Sequence, residues 1–109
     1  MKKKDKGDKI MIDYKVQENQ VVFIFQEDIH FETVRQMEEK VKEVELPEYP
    51  NQLIIDLRQV RCIDSTGIGF LISWIHPLLS HYEVKMINSS LPVKRILQIC
   101  KLDTLIEIA

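Results

Sequence analysis

Cys62-Ile63-Asp64-Ser65-Thr66-Gly67-Ile68-Gly69-Phe70-Leu71 is the stretch that decides how this chain folds. Just before it, Leu53-Ile54-Ile55-Asp56-Leu57 is short, apolar and rich in β-branched residues, the pattern of a buried strand. Just after it runs an apolar segment too long for one strand. The junction holds an acid, two hydroxyls and two glycines, which is the layout of a strand-to-helix turn with Ser65 or Thr66 as helix N-cap. A serine at such a turn is exposed and close to backbone N–H groups at the positive end of the helix dipole.

On the C-terminal side, the spacing predicts a helix from Thr66 to about Leu79. Ile68, Leu71, Ile72, Ile75, Leu78 and Leu79 supply its core face, with a kink or fraying near Pro77. Glu83 to Ile87 reads as a strand. Ser89-Ser90-Leu91-Pro92 then starts another helix, with Ser90 as cap and Val93, Ile96, Leu97 and Cys100 as its apolar stripe. Leu105 to Ile108 reads as a last edge strand.

On the N-terminal side, Lys9 to Val16 alternates Ile10, Ile12, Tyr14 and Val16 with polar residues, as a half-buried strand does. A turn at Glu18-Asn19-Gln20 joins it to Val21-Val22-Phe23-Ile24-Phe25, apolar on both faces, so the pair reads as a hairpin. A helix from about Glu32 to Val44 follows, with Val34, Met37, Val41 and Val44 on one stripe, and Leu46 to Asn51 forms the loop beyond it. Two strands followed by strands alternating with helices imply an α/β chain, a small mixed β-sheet flanked by helices in a single domain over 10–109.

Composition narrows the function classes. With 109 residues, 45% hydrophobic and 29% charged, the chain is of globular type. Residues 1–9 hold five lysines against two aspartates and read as a flexible basic tail of charge +3, leaving −5 on the body. An acidic body excludes direct nucleic-acid binding as the main role, because phosphate contacts need a basic face. No secretory signal or membrane-inserting stretch is seen, which points to a cytoplasmic protein. Cys62 and Cys100 sit among apolar neighbours and read as buried free thiols. His30, His76 and His81 do not make a metal spacing with them, so no metal or cofactor is expected.

Asp64-Ser65-Thr66-Gly67-Ile68-Gly69, preceded by the apolar strand 53–57, resembles the signature of the STAS domain in its form as a bacterial anti-sigma factor antagonist. Leu91-Pro92-Val93-Lys94-Arg95-Ile96-Leu97, followed by Leu102-Asp103, resembles that family's third helix and its exit, and the likeness runs from Ile10 to Ile108. The resemblance implies a mixed sheet with helices on one side. It also implies a mechanism, in which the serine after the aspartate, here Ser65, is phosphorylated by a serine kinase that is itself the anti-sigma factor. The unphosphorylated form captures that kinase and frees the sigma factor; the phosphorylated form lets go. The family's Gly-Glu-Leu-Asp segment falls at 26–30, where the acidic position that meets the kinase becomes His30 or a shifted Asp28. The glycine usual before Leu102 is Lys101.

On this reading Asp64 fixes the loop or orients the Ser65 hydroxyl, Thr66 belongs to the cap, and Gly67 and Gly69 let a partner's backbone approach. Phe70 and Trp74 lie opposite the core stripe. Either another element covers them, or they are exposed and form a binding hot spot that extends to a homodimer contact. Catalysis is not expected. Ser65 lacks the upstream glycine of a nucleophile elbow, and Gly67-Ile68-Gly69 lacks the lysine and spacing of a phosphate-binding loop. The alternative to a phosphorylation switch is a constitutive STAS scaffold within a larger signalling or transport assembly.

Overall fold

A computed structural model describes residues 10–48 and 51–109, so the basic tail expected over 1–9 and part of the loop expected over 46–51 lie outside the described residues. The order of elements is β1 (Ile12–Val16), β2 (Gln20–Phe25), α1 (Val34–Glu43), β3 (Gln52–Asp56), α2 (Ser65–Ile75), a 3-10 turn (His76–Ser80), β4 (Glu83–Ile87), α3 (Leu91–Ile99), a second 3-10 turn (Leu102–Thr104) and β5 (Glu107–Ile108). They build one sheet in the order β1-β2-β3-β4-β5. β1 is antiparallel to β2, and every later pair is parallel.

That topology dictates a one-sided sheet. Each parallel connection steps to the next strand in the same direction, and right-handed crossovers then place all three helices on one face. Burial follows the pleat. The rows Val21–Leu53–Val84 and Phe23–Ile55–Met86 lie in register and are buried. The alternate positions Val22, Ile24, Ile54 and Ile87 point the other way and are only half-buried. The architecture is therefore the expected small mixed sheet with helices packed on one side.

Several local expectations change. In β1 only Ile12 is buried, while Ile10, Tyr14 and Val16 are exposed. An edge strand has a neighbour on one side only, and Tyr14 gains just a stacked contact with Phe23, centroids 6.0 Å apart. Helix α1 starts at Val34, because Thr33 and Val34 both donate to the His30 carbonyl and residues 31–33 form a turn. Helix α2 ends at Ile75, and the chain tightens into the 3-10 turn that holds Pro77, which has no N–H to extend an α-helical ladder. Ser90 takes the N-cap position of α3 but makes no side-chain capping bond.

Both cysteines are exposed, contrary to expectation. Cys62 lies on the loop before α2, where its neighbour Ile63 takes the core position. Cys100 falls off the α3 stripe because Lys101 adopts the left-handed conformation, φ 65°, which ends the helix and turns Leu102 into the core instead. A lysine there bears a conformational cost of about 1–2 kcal/mol that glycine avoids. Lys101→Gly is accordingly expected to raise stability in urea by about 1 kcal/mol once the looser unfolded chain is allowed for. An unchanged or lower midpoint would show that the left-handed cap is relieved by other contacts.

Candidate functional site

The carboxyl ends of β2 and β3 open into two loops, 26–33 and 57–64, that are sewn together. Ile29 and Ile63 form a parallel bridge, the Ile29 N–H donates to the Cys62 carbonyl at 3.1 Å, and the Asp64 N–H donates to the Ile29 carbonyl at 3.3 Å. Ile29 itself is fully buried, so the seam is anchored in the core. Asp28 ties the same loops from the other flank, its Oδ1 accepting from the N–H groups of Arg61 at 2.7 Å and Cys62 at 3.3 Å. Thr33 Oγ1 donates to the Asp28 carbonyl at 2.6 Å and accepts from the His30 N–H at 3.1 Å, which fixes the loop before α1.

Asp64 occupies the centre of this arrangement. It is the N-cap of α2, in place of the expected Ser65 or Thr66: its Oδ1 accepts from the Gly67 N–H at 2.8 Å, and its backbone is extended while the next residue is helical. Its Oδ2 accepts from the Phe31 N–H at 3.0 Å, across to the other loop. One carboxylate thus caps a helix and holds a neighbouring loop. The Gly67 N–H, then the Phe31 and Thr66 N–H groups and the nearby His30, hold its pKa below the ordinary value against some desolvation. At Asp28, burial pushes the carboxyl up, but the Arg61 and Cys62 N–H groups, helped by the Cys62 thiol and His30, outweigh it and the net shift is downward.

Of the sequence-predicted residues, Ser65 is the first residue of α2 and is exposed, as is Thr66. With Gly69 and Ser73 they make the solvent face of the helix, recurring at a spacing of four. A Cβ on Gly69 would meet nothing within 4 Å, so this face is open. Gly67 is different. A Cβ there would stand 2.1 Å from the Ile29 carbonyl oxygen, so this glycine admits the chain's own backbone and not a partner's. Asp28 is engaged with the 61–62 loop, leaving His30 beside Asp64, with its Nδ1 accepting from the Glu32 N–H at 3.2 Å.

Phe70 and Trp74 do not form an exposed aromatic face. Phe70 is 4% exposed and Trp74 is partly buried, and the two rings stack on each other with centroids 5.9 Å apart. Trp74 meets Phe23 edge-on at 5.0 Å and Phe25 at 5.9 Å. Helix α2 packs against both the sheet and α1, so it is apolar on more than one side, and the covered alternative holds for Phe70 and in large part for Trp74. The most exposed aromatic among the described residues is Phe31, 70% exposed, on the loop that Asp64 holds. Its only sequence signal was an aromatic between His30 and Glu32 with no periodic partner.

Cys62 is exposed beside the site, but desolvation and the Asp28 and Asp64 carboxylates push its thiol pKa up, so it is a poor nucleophile at neutral pH. Asp56, at the end of β3, is buried. It accepts from the Arg58 N–H at 2.9 Å and from Asn88 Nδ2 at 3.2 Å, fixing the neighbouring exits of β3 and β4. Among the described residues no group of three His, Cys, Asp or Glu side chains is arranged to hold a metal, and no helix is long and apolar enough to cross a membrane.

A family model described as the STAS domain matches residues 11–109. No curated protein matches the sequence. Among solved structures the fold is similar to a candidate anti-sigma factor antagonist of Thermotoga maritima, at TM-score 0.78 and 21% identity over 90% of this chain and 85% of that one. It is also similar to a sulfate transporter family protein of Wolinella succinogenes, at 0.71 and 15% over 86% and 79%. The Bacillus cell fate determinant SpoIIAA in its phosphorylated form matches at 0.62 and 17% over 90% of each chain. At these identities the likeness is one of fold.

Two predictions follow from the geometry. Gly67→Ala is expected to lower stability by about 1–3 kcal/mol or more, because the intruding atom meets backbone that cannot rotate away. Gly69→Ala, on the open helix face, should raise it by up to about 1 kcal/mol; equal effects in urea melts would refute the seam. The lowered carboxyl pKa values at Asp28 and Asp64 stabilise the fold fully above the unfolded value of about 4, and that contribution fades as pH falls through the lower folded values. Asp28→Asn and Asp64→Asn should therefore each lower the thermal midpoint at neutral pH and reduce its fall on the acid side, whereas a wild-type pH profile in both would remove their role.

Proposed function

The chain belongs to the STAS domain family, and from that premise we propose that it is an anti-sigma factor antagonist whose docking surface is switched by phosphorylation of Ser65. The observation that carries this reading is the exposed hydroxyl at the first position of α2, next to a capping aspartate and on a helix face made of small side chains. In this reading the unphosphorylated protein sequesters a serine-kinase anti-sigma factor in the cytoplasm and so releases a sigma factor. The protein itself performs no catalysis.

The physics of the site supports a surface switch. A phosphate on Ser65 adds about −1.5 to −2 charges and three acceptor oxygens. At a helix N-terminus that charge is tolerated by the dipole and by free N–H groups, so the domain stays folded. The carboxylate of Asp64 is already ionised one residue away. A dianion added there makes any close-fitting partner desolvate a strongly hydrated group against existing negative charge, which favours release. The partner-facing residues are Ser65, Thr66 and Gly69 on α2, with Asp64 and His30 at its edge; Asp28 and Gly67 support them from behind.

The second reading, a constitutive scaffold in a larger signalling or transport assembly, is favoured by one observation: a histidine, His30, stands next to Asp64 where the resemblance leads one to expect an acid. The two readings part on one experiment. With a cognate serine kinase and ATP, mass spectrometry should find one phosphate on the wild type and none on Ser65→Ala, and Ser65→Asp should abolish the complex. Binding that is tight and indifferent to Ser65→Asp would select the scaffold.

A further inference from the structure

We propose that Phe31 is the anchoring side chain of the docking surface, entering an apolar socket that adjoins the nucleotide site of the serine-kinase partner; this rests on the function proposed above. Phe31 is 70% exposed. Of the large apolar side chains left in water, it is the one whose backbone is held by the residue preceding Ser65, through the 3.0 Å bond from its N–H to Asp64 Oδ2. The loop that carries it is fixed on both sides. Thr33 closes it onto the Asp28 carbonyl and the His30 N–H, and the Ile29–Ile63 bridge ties it to the α2 entrance.

An aromatic ring displayed from a loop that is already ordered loses little conformational freedom on burial, which is the property that makes a few aromatic residues dominate binding. The core does not need this ring: among the described residues its ring contact is with the adjacent His30, at 6.2 Å. The location also explains coupling to the switch. Phe31 and Ser65 flank the same Asp64 carboxylate, so a partner seated on the ring covers the serine hydroxyl. For that hydroxyl to be phosphorylated, the socket must lie beside the partner's nucleotide. A dianion at Ser65 then meets the rim of the socket while the ring remains in place.

The test uses the full chain and each serine-kinase anti-sigma factor encoded in the same genome, purified and titrated one by one with Mg-ADP by calorimetry. The expected result is that Phe31→Ala weakens binding roughly 10- to 100-fold with an unchanged thermal midpoint. Phe31→Leu should recover most of the affinity, and Ser65→Asp should abolish the complex whether or not Phe31 is present. If Phe31→Ala binds as tightly as wild type while Ser65→Asp abolishes the complex, the anchor is refuted and the switch stands. If no such kinase binds the wild type, both are refuted.

Discussion

The structure depends on a pair of constraints that meet at Asp64: a helix that must be capped, and two loops that must be held at one distance. Its carboxylate serves both, with Oδ1 on the Gly67 N–H and Oδ2 on the Phe31 N–H. Because the Ile29 carbonyl occupies the space where a Cβ of residue 67 would be, the α2 entrance cannot shift toward the 26–33 loop without collision. The first turn of α2 is therefore fixed relative to β2 as well as β3. Ser65 gains its position from this rigidity, being the first residue after the cap and facing solvent with no freedom to withdraw.

Packing explains why the functional face is so plain. The aromatic mass of α2 is spent inward, where Phe70 and Trp74 close over Phe23 and Phe25 and fill the space between helix and sheet. What remains for the outside is hydroxyls and a glycine. A surface of that kind has little apolar area to give a partner, whereas at its margin the loop before α1 displays a ring. On the proposed reading the division of labour is between a flat helix face that would carry the modification and an edge that would carry the contact.

Much of this was legible in the sequence. The continuous apolar runs 21–25 and 53–57 read as strands, because runs that short, bounded by turn residues and rich in β-branched side chains, are too brief for helices. The exposed hydroxyl at 65 followed from the same strand-to-helix junction. What stayed open and what was misread share a cause. The choice between a covered and an exposed Phe70 and Trp74 turns on α2 lying against both the sheet and α1, a fact of topology that no window of α2 contains. Cys100 was counted into a stripe that continues only if α3 continues, and Lys101 turns left-handed there. Asp28 and Gly67 serve contacts with residues more than thirty positions away, which local spacing cannot reveal.

The sheet's uncovered face has a consequence of another kind. Since all the crossovers lie on one side, only every second residue of a central strand is locked into the interior, and Val22, Ile54 and Lys85 in one row are half in water. Substitutions can accumulate at those alternate places across lineages with little penalty to folding. A chain built this way can change many of its letters and keep its fold, and the likeness to solved structures at 15–21% identity and TM-scores of 0.62–0.78 is a likeness of fold.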